Sequence, residues 1–378
     1  MEKRQKLVSE KDPLTISRNS IPIDLFISIL SRLPVKSIAR CRCVSKQWAS
    51  ILRRPDFTDL FLKVSSTRPC LLFTFNLNGK WLFFSAPQHQ NSCILLAADR
   101  HMSFSTENGS SGMLRPVCGL LCTLERNPFI CNPSTGQYIT LPKATWAESR
   151  VVDIYFGYDL IGKLFKVLHM SKDYSRVLSL GTGELSWRTI ECSISHCSAS
   201  DGICINGVVY YLAACNGTRL HTPIKLVCFD VRFEKFKFLD VNSMIWMSTL
   251  VNFNGKLGAI LPDELFLFSE RSTRLEMWVL DDVENGKWSK HIYEFPSSWK
   301  NLVGDKFLYI VGMIGTGEIV FAPYYREENL YIFYYNVVSN TVVRVEIQLG
   351  IVVPDRPKIY TFIDHVEDVK LMEVLGSS

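Results

Sequence analysis

Phe129-Ile130-Cys131-Asn132-Pro133-Ser134-Thr135-Gly136-Gln137-Tyr138 is an apolar run that stops on an asparagine, reaches a glycine four positions later, and becomes apolar again six positions on. The same frame returns after Ser179, Asp230, Asp282 and Asn336, at intervals of 47, 51, 52 and 54 residues. The fourth-on residues are Gly136, Gly183, Glu234, Gly286 and Asn340, and the sixth-on residues are Tyr138, Leu185, Phe236, Trp288 and Val342. A side-chain oxygen at the first position bonds its own turn, and the fourth-on position needs a positive φ, which Gly and Asn tolerate. Only Glu234 breaks that rule. The sixth-on residue is expected to start a return strand with a buried side chain.

A second set of hairpins falls between these turns. Asn206-Gly207 and Asn254-Gly255 are flanked by apolar runs, the strongest short-range hairpin signal, and Gly315-Thr316 takes the corresponding place. An earlier, degenerate copy runs from Leu71 to Phe84 around Asn78-Gly79-Lys80-Trp81. Two hairpins per period make one four-stranded sheet, the unit of a β-propeller. Residues 69–374 then give about six blades, with seven also compatible with the length. A last strand near Ile359–Ile363 is expected to pair with the first blade and close the ring, removing its free edges.

Upstream the period changes from 2 to that of a helix. Leu25, Ile29 and Leu33 recur every four residues with Phe26 and Leu30 beside them, after Pro22 and Asp24 at the helix start. Pro34 ends this helix. A second helix is expected over Val35–Arg40 with Val35 and Ile38 inward. A third is expected over Ser45–Leu52 with Ser45 as N-cap and Val44, Trp48, Ile51 and Leu52 buried. Pro55 stops the pattern and Phe57 folds back. Residues 21–63 thus form a three-helix module too small for a comfortable core of its own, so a partner should complete its apolar surface. Residues 1–20, polar and aperiodic, read as a disordered tail.

Charge separates the two parts. Residues 1–63 hold 13 Lys+Arg against 6 Asp+Glu, and the remainder 29 against 31. The basic surplus belongs to the helical module, whose partner should be acidic. Its basic residues are scattered around the helices without a set aimed at base edges, so no nucleic-acid partner is implied. The twelve cysteines form no Cys-x-x-Cys pair, most lie inside apolar runs, and the start of the chain has no apolar signal core. Reduced thiols and a cytoplasmic or nuclear setting follow. No apolar stretch reaches membrane-span length, so no membrane partner is expected.

With those residues in view, Ile21-Pro22-Ile23-Asp24-Leu25, Ile29-Leu30-Ser31-Arg32-Leu33-Pro34-Val35-Lys36-Ser37-Ile38, Arg42-Cys43-Val44-Ser45-Lys46-Gln47-Trp48 and Pro55-Asp56-Phe57 together resemble the F-box. Cys118-Gly119-Leu120-Leu121-Cys122, Asn132-Pro133-Ser134-Thr135-Gly136, Leu141-Pro142, Phe156-Gly157-Tyr158-Asp159 and Tyr360 to Glu367 resemble the F-box-associated domains of a large plant family. The Gly-Gly of kelch blades and the Trp-Asp of the other common propeller family are absent. The resemblance implies docking on the small acidic adaptor of Skp–cullin–F-box ubiquitin ligases, with Pro22, Leu25, Ile29, Leu33, Pro34 and Val44 at or near the interface. Trp48 would sit mainly in the module's own core, one edge touching the adaptor. The expected fold is therefore α plus all-β, and the expected role is a non-catalytic substrate-recognition subunit reaching cullin through the adaptor. Two other readings stand beside it: a propeller enzyme or glycan-binding domain with a helical extension, and an F-box protein acting outside a ligase.

No catalytic motif competes. The chain lacks Gly-x-Ser-x-Gly, a Walker loop and His-Glu-x-x-His. Gly312 to Gly317 precedes a strand and reads as a hairpin, Cys192, His196 and Cys197 as a serine-rich loop, and Asp281-Asp282 and Glu327-Glu328 as solvated turns. No metal or cofactor is implied. Propellers bind through loops, which makes Trp246-Met247 and Tyr324-Tyr325-Arg326 the candidate substrate-contact segments. Packing between blades is the competing reading for both.

Overall fold

The structure is a computed structural model and describes residues 21–88, 95–105, 112–124, 128–143, 153–171, 174–181, 183–215, 223–242, 244–262, 267–324, 329–351 and 358–370. The expected tail 1–20 and Glu327-Glu328 lie outside these residues, as do 106–111 of the Ser-Gly-rich stretch from Ser105 to Gly112, which the sequence marks as a loop.

Six sheets follow the helical module, antiparallel except for Leu95–Ala97, which pairs parallel with Thr341–Gln348 in the sixth. They make a six-bladed propeller with N-terminal helices. Blade 3 illustrates the pattern: Asp153–Asp159, Leu164–Met170, Ser175–Ser179 and Arg188–Ile190 pair in chain order. Blades 5 and 6 repeat it from the inner strands Thr249–Phe253 and Leu308–Met313. Blade 4 has the inner strand Ile203–Ile205 beside Val208–Cys215. Blade 2 has three strands, Leu121–Cys122, Phe129–Asn132 and Gln137–Thr140, flanked on the inside by residues 113–117 through bridges Met113–Thr123 and Val117–Leu120. Blade 1 closes the ring: Tyr360–His365 pairs antiparallel with Cys70–Leu77, as the sequence led us to expect.

The repeated turns form because the local chemistry dictates them. Residues 136, 183, 234, 286 and 340 all have positive φ, from 50° at Asn340 to 101° at Gly183. The Oδ1 atoms of Asn132, Asp230, Asp282 and Asn336 each accept bonds from main-chain N–H groups two and three residues on. Glu234, a poor residue for this geometry, still adopts φ 58°. Its carboxylate is held by Lys166 at 2.6 Å and by Arg188, which gives the strained position a tertiary reason. The sixth-on residues depart from expectation. Tyr138 is 52% exposed and Phe236, Trp288 and Val342 are half-buried. They begin the rim-side strand of each blade; for Tyr138, Phe236 and Trp288 that strand has a neighbour on one edge only, whereas the Val342 strand is also flanked by Leu95–Ala97, paired parallel.

Strands nearer the axis are covered on both faces by adjoining blades, so they read as continuous apolar runs. Leu71, Leu72, Phe73 and Phe75 have no accessible surface. The Asn78-Gly79 turn has φ 51° and 79° at its two positions, but it joins the second and third strands of its blade. The closing strand comes first in blade 1 and shifts the phase by one, so this turn points to the opposite end of the ring from Asn206-Gly207 and Asn254-Gly255.

The helical module has four helices: α1 (Ile23–Leu30), α2 (Val35–Arg42), α3 (Lys46–Ile51) and α4 (Pro55–Ser65). Ser45 caps α3, its Oγ accepting from Trp48 N at 3.1 Å. Pro55 begins a helix instead of ending one, because the first helical position needs no N–H donor. α4 buries Phe57 and Phe61 completely. The three-helix expectation therefore gains a fourth helix that supplies much of the core. Val44, expected inward, is 62% exposed, because it lies in the turn before α3 and not on its inner face.

Candidate functional site

In each regular blade the connections between strands one and two, and between three and four, emerge at one end of the ring, here termed the turn face. Connections between strands two and three, and crossovers to the next blade, emerge at the other, the loop face. The helical module docks on the turn face. Lys163, in the first turn of blade 3, pairs with Asp59 of α4 at 2.5 Å. The segment following the closing strand, residues 366–370, runs beneath the helices and binds both parts. Glu367 Oε2 accepts from Val35 N at 3.4 Å, and the Val369 carbonyl accepts from Arg42 Nη2 at 2.7 Å. Asn132 Nδ2 donates to the carbonyls of Asp368 and Lys370 at 3.1 and 3.2 Å. Val369 itself is fully buried among Ile27, Leu30, Val35, Ile38, Leu52, Phe57 and Phe61.

Glycine makes this approach possible at one point. A Cβ on Gly119 would lie 2.7 Å from the Val366 carbonyl oxygen and 3.0 Å from Asp368 Cβ, and its φ is +84°. Asp368 is 97% inaccessible and burial raises its pKa to about 6, partly offset by the Lys370 N–H and by the charges of Lys370 and Arg42. Glu367 is raised in the same sense by burial.

The residues expected at the adaptor interface divide by exposure. Leu25 and Ile29 are 56% and 55% exposed, and Ile21, Ile23 and Val44 are also open. Pro22 and Pro34 are exposed and Leu33 is half-buried. α1 thus presents two apolar sides: Ile27 and Leu30 face the module's core, while Leu25 and Ile29 face outward. Exposed apolar side chains concentrated on a small module mark an interaction surface. Trp48 is half-buried, packed edge-on against Phe26 with ring centroids 4.6 Å apart.

The candidate substrate segments lie at the other end. Trp246 is 41% exposed on a short 3-10 turn (Ile245–Met247) in the crossover from blade 4 to blade 5. Tyr324 is 54% exposed between the second and third strands of blade 6. Both are therefore on the loop face, away from the helices. Tyr325 and Arg326 lie outside the described residues. Sequence reasoning missed two further exposed side chains there, Met244 and Phe307. Phe307 directly precedes an apolar strand, and that placement was its only signal.

Nothing catalytic assembles among the described residues. His196 accepts from the Tyr211 hydroxyl through Nε2 at 2.7 Å and donates from Nδ1 to the Ile194 carbonyl at 2.8 Å. Both nitrogens are engaged as in a satisfied core histidine. Asp282 caps its own turn and Asp281 pairs with Lys256 at 2.8 Å. Gly312 to Gly317 forms the expected hairpin. Burial drives the thiols of Cys122 and Cys131 far above their ordinary range, as in inert core cysteines.

A four-helix docking module clamped on one face of a six-bladed propeller defines a two-part binding protein. Comparison with known families agrees with that architecture. Residues 70–366 match the model described as "F-box associated beta propeller domain", and residues 19–60 match the F-box domain. The F-box protein DOR of Arabidopsis thaliana is 45% identical, the alignment covering 98% of this chain and 100% of that one. The F-box protein At3g49450 of the same plant is 40% identical over the same shares. The chain belongs to the family of F-box proteins that carry an F-box associated β-propeller domain.

Proposed function

We propose that this chain is the substrate-recognition subunit of a Skp–cullin–F-box E3 ubiquitin ligase. The F-box takes the Skp-type adaptor, and through it cullin, while the propeller recruits a protein substrate for ubiquitination. The observation that carries this reading is the opposition of the two surfaces: the apolar run of Leu25, Ile29 and Val44 stays open on the helices, and the exposed aromatics Trp246 and Tyr324 stay open on the far face. An adaptor and a substrate can then be held at once. The chain contributes proximity, not a nucleophile or a proton shuttle, and works in the cytosol or nucleus.

The test is co-purification with a Skp-type adaptor, comparing wild type with a Leu33→Ala/Pro34→Ala double variant. Capture by the wild type and loss in a variant whose propeller stays folded supports the reading. A well-folded wild type that captures no adaptor overturns it.

A further inference from the structure

The inner strands of the six blades surround a central channel, and the Arg115 side chain crosses it. Arg115 lies on the inner flank of blade 2, fixed by the bridges at Met113 and Val117. Its Nη1 donates to the Leu250 main-chain carbonyl at 2.8 Å. Leu250 belongs to Thr249–Phe253, the innermost strand of blade 5. In a ring of six, blades 2 and 5 are diametrically opposed, so this side chain spans the channel.

Arg115 is half-buried. It carries five N–H donors, and the Leu250 carbonyl takes one of them. Burial lowers its pKa from the ordinary value, and the one charge acting to restore it is Asp201, which is exposed to solvent and makes no ion-pair contact with it. At a half-buried site an incoming anion is attracted to this cation more strongly than in water. The loop-face connections that lead into the inner strands of blades 5 and 6 carry exposed apolar and aromatic side chains. Met244 and Trp246, 54% and 41% exposed, lead into the blade 5 inner strand. Phe307, 50% exposed, leads into that of blade 6, and its carbonyl accepts from Tyr324 N at 2.7 Å.

We propose that the loop-face mouth of this channel binds an acidic peptide, a carboxylate or phosphate pairing with Arg115 while flanking apolar residues pack on Trp246, Phe307 and Tyr324. A bidentate anion matches the planar fork of Arg, and aromatic side chains with an arginine are the residues that anchor interfaces. This rests on the loop face being the substrate side and names the chemistry that side selects.

The test uses the full chain bound to its adaptor and fluorescence anisotropy with labelled random peptide pools. One pool has a free C-terminal carboxylate, one an amidated end with internal Glu, one an amidated end with phosphoserine, and one no anionic group. At least one anionic pool should bind about tenfold more tightly than the neutral pool, a difference of about 1.4 kcal/mol. Which pool wins identifies the source of the anion. Arg115→Gln, which keeps a polar side chain but removes the charge, should erase the preference, and Arg115→Lys should keep part of it. Equal binding of anionic and neutral pools, no binding of any pool, or a preference surviving in Arg115→Gln overturns the proposal. Should Arg115→Gln fail to fold, inorganic phosphate decides: it must displace the anionic pool from the wild type more effectively than chloride at equal ionic strength, and failure to do so overturns the site. Adaptor capture and cullin-dependent ubiquitin transfer, read on the same preparation, stay positive if only this subsite is wrong.

Discussion

Arg42 of α2 donates one 2.7 Å bond to the carbonyl of Val369 and another, at 2.9 Å, to that of Leu52. A single guanidinium thus ties the F-box to a segment 327 residues away, while the Val369 side chain fills the F-box core. A four-helix module of this size has little apolar surface to bury, and the C-terminal segment supplies the missing part.

Val369→Ala is therefore expected to cost about 1–3 kcal/mol, as buried large-to-small changes do. The loss should be local. Hydrogen exchange should show reduced protection of α1–α4 with the amides of blades 3 to 5 unchanged. Unaltered protection of the helices would mean the segment is not part of their core.

Ile29→Glu should leave stability within about 0.5 kcal/mol of wild type, since this side chain is mostly exposed, yet abolish adaptor capture. Ile27→Glu, one face round on the same helix and buried, should instead lower the melting temperature of the helical module. Equal melting losses in both would refute the two-sided reading of α1.

Asp368 gives a pH dependence of defined sign. Its pKa is raised to about 6 from 3.8 by burial, so the native state binds this proton more tightly than the unfolded chain. The stabilisation is full below about pH 4 and is lost as pH rises through about 6. Asp368→Asn should accordingly gain roughly 1–3 kcal/mol at pH 7 and nothing near pH 4, measured by urea unfolding at both values. His365 acts in the opposite sense: burial lowers its pKa to about 3, so its contribution weakens as pH falls below about 6.5.

Glu234 and Lys166 make a nearly buried ion pair, with 11% and 8% of their side chains accessible. Glu234→Ala strands the lysine and should cost about 3–5 kcal/mol. Lys166→Met combined with Glu234→Gly should recover most of that, because it removes the orphan charge and relaxes the positive φ. A double variant as unstable as the single one would show that the pair contributes more than charge balance.

The repeated turns were legible because their cause is local. An Asx oxygen bonding two N–H groups and a residue at positive φ are written within five positions. The same rule would have found Asp159, whose Oδ1 accepts from Ile161 N and Gly162 N before Lys163 at φ 53°. Its period differs from the others because it joins strands one and two. Cys118-Gly119, at φ 46° and 84°, is the matching turn of blade 2, which that rule does not reach because cysteine is not a turn-former by composition.

By itself the sequence determined the strand-and-turn rhythm, a period that allows six or seven blades, the closing strand and the helical module, all of which follow from side-chain periodicity and backbone preference over a few residues. The tertiary structure alone decided which side of α1 stays open, that Pro55 starts a helix, that Val369 completes the F-box core, and that Arg115 spans the channel to Leu250. The last two depend on contacts between residues more than a hundred positions apart and the first two on how neighbouring helices pack, and local preferences carry no information about what another part of the chain will place against them.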